Sequence, residues 1–132
     1  MAVLAAVETV EACMPATLDA AALTVMARRG QITGAKVDGP LAFDNAISLD
    51  SARIKEIVSP VAGRADILVV PNLETGNMLA KQLIYLAGAD AAGLVLGARV
   101  PIILTSRADS VRAKVASCAV AVLVAHARRK KP

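Results

Sequence analysis

The stretch Val61–Lys81, VAGRADILVVPNLETGNMLAK, limits most sharply what this chain can fold into. Ile67 to Val70 is a short apolar run rich in β-branched residues, the pattern of a strand buried on both faces. Pro71 stops it, because proline brings no ladder donor. A polar turn follows, Asn72, Leu73, Glu74, Thr75, Gly76 and Asn77. From Met78 the apolar residues Met78, Leu79, Leu83, Leu86 and Ala87 recur at helical spacing, and Gly88 sits where a helix ends. Strand, polar turn, helix is a unit of α/β folds. Free N–H groups and the positive dipole end collect at such a turn and attract anions. The same signals also fit an ordinary strand-to-helix connection with good capping.

The length of 132 residues fits one domain able to bury roughly two-thirds of its unfolded surface. Phe43 and Tyr85 are the only aromatics, so the core is built from small and branched side chains. The net charge of +4 is concentrated in Arg128, Arg129, Lys130 and Lys131. The remainder balances 11 basic against 11 acidic residues. A nucleic-acid partner is therefore not expected, since neither a basic face nor stacking aromatics are present. The tail reads as a solvated helix end that complements the dipole.

No membrane span is expected: the longest purely apolar run, Cys118 to Ala125, is far short of the roughly 20 residues required. The opening MAVLAAV runs at once into Glu8 and Glu11, which is unlike a secretory signal, and a cytoplasmic location is expected. Cys13 and Cys118 lack metal-like spacing and read as reduced core thiols. His126 is the sole histidine, so neither a histidine zinc site nor a serine–histidine pair is expected.

In chain order, Ala2 to Val10 reads as a short helix with Val3, Leu4, Val7 and Val10 on one side. Cys13-Met14-Pro15 breaks it. A second helix capped by Thr17 or Asp19 ends at Arg28-Arg29-Gly30. Ala35 to Asp38 is a short strand entering the turn dipeptide Gly39-Pro40, and Asp38 there fits turn formation. Phe43, Ala46 and Ile47 form a helical turn with Asp44 and Asn45 exposed, and Ser51 to Val58 forms a weak helix. Ala91 to Leu96 is a strand completing strand–helix–strand, for which parallel pairing is expected. Pro101 to Leu104 follows too soon for a parallel crossover and is expected to be antiparallel to it or elsewhere in the sheet. A second polar corner, Thr105 to Ser110, leads into a helix from Val111 to about Arg128, capped by Ser110 or Asp109. Its apolar face gathers Val111, Val115, Cys118, Ala119, Val122, Leu123 and His126.

Within the two corners, Arg107 is a guanidinium at a helix amino terminus, suited to phosphate and contrary to the dipole. Pairing with Asp109 or Glu74 is the alternative. Ser106 offers a hydroxyl donor, or else a turn serine bonding its own backbone.

Three segments in order, DGPLAFDNAIS at Asp38–Ser48, NLETGNMLAK after VAGRADILVVP, and PIILTSRADS at Pro101–Ser110, resemble the phosphate acetyltransferase/phosphate butyryltransferase family. The likeness runs from about Met14 to about Val124 and matches the carboxyl-terminal portion of such an enzyme, with MAVLAAVETV resembling an interior segment given a start. It implies a three-layer α/β/α fold with a mixed, largely parallel sheet, like isocitrate/isopropylmalate dehydrogenases, present in part. Dehydrogenase chemistry itself would need metal-binding aspartates at helical spacing, which are not found.

The implied reaction is acyl transfer between CoA and phosphate, with CoA as substrate and neither a metal nor another cofactor. Ser106, Arg107 and, more weakly, Asp109 carry over as catalytic; Asp38, Asn72, Glu74, Thr75, Gly76, Asn77 and Lys81 carry over to the substrate side. Asp38 would orient neighbouring loops, Gly76 would let a ligand approach, and Lys81 would meet a CoA phosphate or be solvated. Ala113 stands where acetyl-type members place an aspartate. A homodimer is expected, hiding the apolar helix face. The chain alone is expected to be weak or inactive. Two other readings are a non-catalytic acyl-CoA-binding or sensor module and an inert fragment.

Overall fold

The structure is a computed structural model and describes residues 1–129. Two compact units divide the chain, Met1–Met78 and Leu79–Pro132.

The first unit is built on a parallel sheet in the order β2-β1-β3, with β1 Ala2–Leu4, β2 Asp38–Leu41 and β3 Leu68–Val69. Ala2 is in register with both Asp38 and Leu68. The opening residues are therefore the central strand and not the expected helix. Ala2, Val3 and Leu4 are all buried. A strand covered on both faces shows no alternation, and the spacing of Val3, Leu4, Val7 and Val10 imitates a helix. β3, at the sheet edge, is only half-buried, not covered on both faces as its composition implied.

Helix α1, Pro15–Arg28, packs on this sheet. It starts earlier than expected: Pro15 opens the helix instead of breaking it, since its missing N–H is an orphan there anyway. Buried Thr17 ties the entry down by accepting from the Glu11 N–H at 2.9 Å and donating to the Met14 carbonyl at 2.8 Å. Val3, Ala20 and Val37 form a small core, joined by Leu23, Ile32 and Val69. Gly39-Pro40 lies inside β2 and is not a turn. Helix α2, Phe43–Ile47, follows, but Asn45 is fully buried, against the expected exposure. Helix α3, Leu49–Ile54, is capped by Ser48, whose Oγ accepts from the Ser51 N–H at 3.2 Å, so it begins and ends before the expected bounds.

Helix α4, Leu73–Tyr85, leads from β3 into the second unit. There β4, Leu94–Val95, and β5, Ile102–Ile103, pair antiparallel. The short connection permits only that pairing. These two strands form a sheet of their own, so the expected parallel strand–helix–strand pairing of β3 with β4 is not formed. Helix α5, Val111–Arg129, packs on both strands and buries Ser117 and Ala121. The Ser117 hydroxyl donates to the Ala113 carbonyl at 2.7 Å and accepts from the Gly93 N–H at 3.0 Å, joining helix to hairpin. The face drawn from apolar periodicity is the outer one: Val111, Val115, Val122 and Leu123 are exposed. Both cysteines are exposed as well, not core thiols. Of the basic tail, Lys130 and Lys131 lie outside the described residues. No helix among the described residues is long and apolar enough to cross a membrane.

Candidate functional site: two polar corners

In the first unit all three strands run the same way, so their carboxyl ends open on one edge. The chain leaves that edge after β3 through Asn72, which is the N-cap of α4: its Oδ1 accepts from the Thr75 N–H at 2.9 Å. Glu74, Thr75, Gly76 and Asn77 thus form the first turns of α4, whereas sequence places them in a turn before it. Glu74 complements the positive dipole end. Gly76 serves packing here: a Cβ would lie 2.9 Å from Val70 Cγ2, so the helix seats on the strand end. Asn77 is exposed on the helix surface. Lys81, further along α4 and also exposed, falls in the second unit.

Asp38 is not part of this corner. It opens β2 instead of closing it, and its register with Ala2 puts it at the amino edge, away from Asn72. It pairs there with Arg28 at 3.7 Å.

Sequence reading missed a polar group leaving the same carboxyl edge as Asn72. Glu8 follows β1, Asp44 and Asn45 follow β2, and Lys55 closes α3. Lys55 Nζ lies 3.1 Å from Asp44 Oδ2 and 3.6 Å from Glu8 Oε2. Ser51 Oγ donates to Asp44 at 2.6 Å, and Asn45 Nδ2 donates to Glu8 at 3.3 Å. The hydrogen bonds from Ser51 and then Lys55 hold the Asp44 carboxyl below its ordinary range. The bond to Asp44 raises the Lys55 ammonium, outweighing partial desolvation. The buried Asn45 Oδ1 has no partner among the described residues. Taking Ala2 to Val10 as a helix concealed this group, since it hid that Glu8 follows a strand.

The second unit supplies the other corner, between β5 and α5. Ser106 N–H donates to Asp109 Oδ2 at 2.7 Å, and Asp109 N–H returns to the Ser106 carbonyl at 3.2 Å. Among the described residues Ser106 Oγ receives a single long bond, from the Ala108 N–H at 3.4 Å. Ser110, not Asp109, caps α5, accepting from the Ala113 N–H at 3.2 Å. Arg107 is exposed and makes no ion pair among the described residues of its unit, so the pairing with Asp109 is not formed. Asp90 is paired instead with Arg112, at 2.7 Å. The corner thus presents a fixed backbone, a lightly engaged hydroxyl and a free guanidinium at a helix amino end. These are the parts that hold a phosphate or a developing oxyanion.

The structure is that of a mainly parallel α/β protein with polar corners leading into helices, an architecture in which ligands generally bind beside the carboxyl ends of strands. The family model "Phosphate acetyl/butaryl transferase" matches residues 1–122, and the chain belongs to that family. It is 70% identical over 129 residues to a phosphate acetyltransferase of Rhizobium meliloti, covering 98% of this chain and 41% of that protein. It is 57% identical over 121 residues to a probable phosphate butyryltransferase of Bacillus subtilis, covering 92% of this chain and 40% of that protein. A solved branched-chain phosphotransacylase from Enterococcus faecalis V583 superposes with a TM-score of 0.82 at 38% identity, over 95% of this chain and 45% of that one. The chain spans about two fifths of the length of the curated relatives it matches.

Proposed function

We propose that this chain is part of a phosphate acyltransferase that converts acyl-CoA and phosphate into acyl phosphate and CoA, reversibly. In the reverse direction the CoA sulfur bonds to the acyl carbon, the carbon–oxygen bond to phosphate breaks, and the thiol proton passes to a base. Arg107 holds the phosphate oxygens through its forked donors and stays charged throughout. Ser106 Oγ donates to the oxygen that becomes negative. Asn72, Thr75 and Asn77 at the start of α4 meet the polar parts of CoA, with Glu74 and Gly76 shaping that turn and Lys81 beside a CoA phosphate. CoA is a substrate, and the reaction needs neither a metal nor a redox cofactor.

One observation carries the reading: among the described residues Arg107 has no carboxylate partner, in a corner that is otherwise locked by hydrogen bonds. The naming of close relatives as phosphate acetyl- and butyryltransferases supports the substrate class. In the complete enzyme the chain contributes to a three-layer α/β/α fold of the isocitrate/isopropylmalate dehydrogenase kind. The enzyme is a cytoplasmic homodimer.

A second reading, a non-catalytic acyl-CoA-binding module, is favoured by Ala113, which supplies no proton acceptor in the first turn of α5. Asp109, the nearest carboxylate in sequence, is already engaged by the Ser106 N–H. Acyl phosphate formation from acetyl-CoA and butyryl-CoA separates the two. Turnover by the chain joined to the rest of a family enzyme, lost in Arg107→Gln, supports the transferase; CoA binding without turnover supports the module. Absence of CoA binding by calorimetry removes both.

A further inference from the structure

A hollow lies wholly in the first unit, in the sequence on either side of Pro60. It is a groove of about 490 Å³ between α3 and the segment from Glu56 to Arg64. That volume falls within the roughly 300–1,000 Å³ of small-molecule sites.

The walls are held before any ligand arrives. Ser59 Oγ accepts from the Val61 and Ala62 N–H groups at 3.1 and 3.0 Å. Gly63 N–H donates to the Asn45 carbonyl at 2.8 Å, and Ala65 N–H to the Ala46 carbonyl at 3.2 Å, fastening the segment to α2. Glu56, at φ 53°, is the left-handed residue that ends α3: its N–H donates to the Arg53 carbonyl at 3.0 Å and the Ile57 N–H to the Ala52 carbonyl at 2.9 Å, which fixes the direction in which the groove segment leaves the helix.

The lining has three chemical characters. Arg53 and Arg64 both reach it. Arg64 has no ion pair among the described residues, and Arg53 has only a solvated one with Asp50 at 3.5 Å. Leu49, Ile57 and Val58 supply apolar surface, Val58 fully exposed. Glu56 supplies a carboxylate on the same wall.

Inorganic phosphate would satisfy the guanidiniums but leave the apolar wall wet. A purely apolar ligand would leave the guanidiniums and Glu56 unmatched. We propose that this groove binds a nucleoside phosphate: the phosphate on Arg64 and Arg53, the base against Ile57 and Val58, and the ribose hydroxyls donating to Glu56. Arginine forks suit phosphate, and a carboxylate suits ribose hydroxyls. The nucleotide is a free one, distinct from the coenzyme A that the Asn72 corner and Lys81 are proposed to meet. The proposal does not rest on the acyltransferase reading, because no residue of the 105–110 corner takes part.

Calorimetry on the 132-residue chain with AMP, adenosine and inorganic phosphate tests it. AMP is expected to bind about tenfold or more tighter than either part. Arg64→Ala is expected to weaken AMP by about tenfold, with circular dichroism unchanged. AMP binding no tighter than adenosine or phosphate overturns the proposal, as does a folded Arg64→Ala chain with wild-type AMP affinity. Should that variant fail to fold, the Arg64 Nε–Hε resonance of the wild-type chain decides: a shift on AMP titration supports the site, and none overturns it. Coenzyme A unaffected by Arg64→Ala while AMP is lost supports a separate nucleotide site; coenzyme A weakened in parallel assigns the groove to the substrate and overturns the proposal.

Discussion

The backbone N–H of Ser106 donates to Oδ2 of Asp109 at 2.7 Å, so the corner between β5 and α5 is closed by a side chain of its own. This bond sets where the Ser106 hydroxyl and the Arg107 guanidinium start from. It also engages one oxygen of the carboxylate that sequence reading placed among the catalytic groups.

Substitution at Asp109 separates those two roles. Asp109→Asn keeps an oxygen acceptor for Ser106 and is expected to retain wild-type thermal stability. Asp109→Ala removes it and is expected to lose about 1 kcal/mol by chemical denaturation, the typical worth of such a side-chain-to-backbone bond. In a complete enzyme, Asp109→Asn with activity intact assigns the residue to the turn. A large loss of kcat at unchanged stability assigns it to proton transfer.

The Asp44–Lys55 pair gives the first unit a defined pH response. Asp44 is held below its ordinary 3.8, so its contribution is complete above that value and disappears as pH falls through the lower folded value. Lys55 is raised above 10.5, so its contribution is complete below that value and disappears as pH rises through the higher folded value. Lys55→Met is therefore expected to lower the melting temperature between these limits and to narrow its gap from wild type beyond either one. A constant gap across a pH series of thermal melts contradicts the assignment. High salt should shrink the gap, because the pair is solvated.

How far the sequence could be read follows from where its signals are local. Pro71 as a strand stop and Ser110 as a helix cap act within a turn, and β3 and the start of α5 lie where those signals put them. The family likeness is likewise carried by contiguous motifs. The central strand β1 was missed because its identity depends on Asp38 and Leu68, both distant in sequence. The burial of Asn45 is also decided at a distance, by partners on the loop after β1 and on the segment around Gly63. On α5 the periodicity was present, but the hairpin packs against Ser117 and Ala121, so the small residues lie inward. Hydrophobic spacing identifies a face; it does not say what covers it.

Gly63 is a position where the backbone leaves no choice. It sits at φ 71°, and a Cβ there would lie 2.6 Å from Leu49 Cα and 2.7 Å from Leu49 N. Gly30, at φ 75°, has nothing within 4 Å of such a Cβ. Gly30→Ala is therefore expected to cost only the left-handed strain, about 1–2 kcal/mol. Gly63→Ala adds a backbone clash and is expected to cost about 1–3 kcal/mol more. Urea unfolding of the two variants side by side checks this; equal losses would mean that Leu49 and α3 yield freely, and with them the wall of the groove.

The outer face of α5 bears on assembly. Val115 is 62% exposed, and Val122 and Leu123 are each 67% exposed. The area that three such side chains offer is a reason for self-association, at roughly 25 cal/mol for each Å² covered. If a second copy covers this face, the apparent mass by light scattering rises with concentration towards twice the chain mass. Val115→Glu and Leu123→Glu then shift the protein to monomer without loss of helix, because both positions are already open to solvent. The same substitutions on the buried side, at Ala121, would unfold the second unit instead. A wild-type chain that stays monomeric at high concentration assigns the covering of α5 to something other than its own copy, and the homodimer proposal falls.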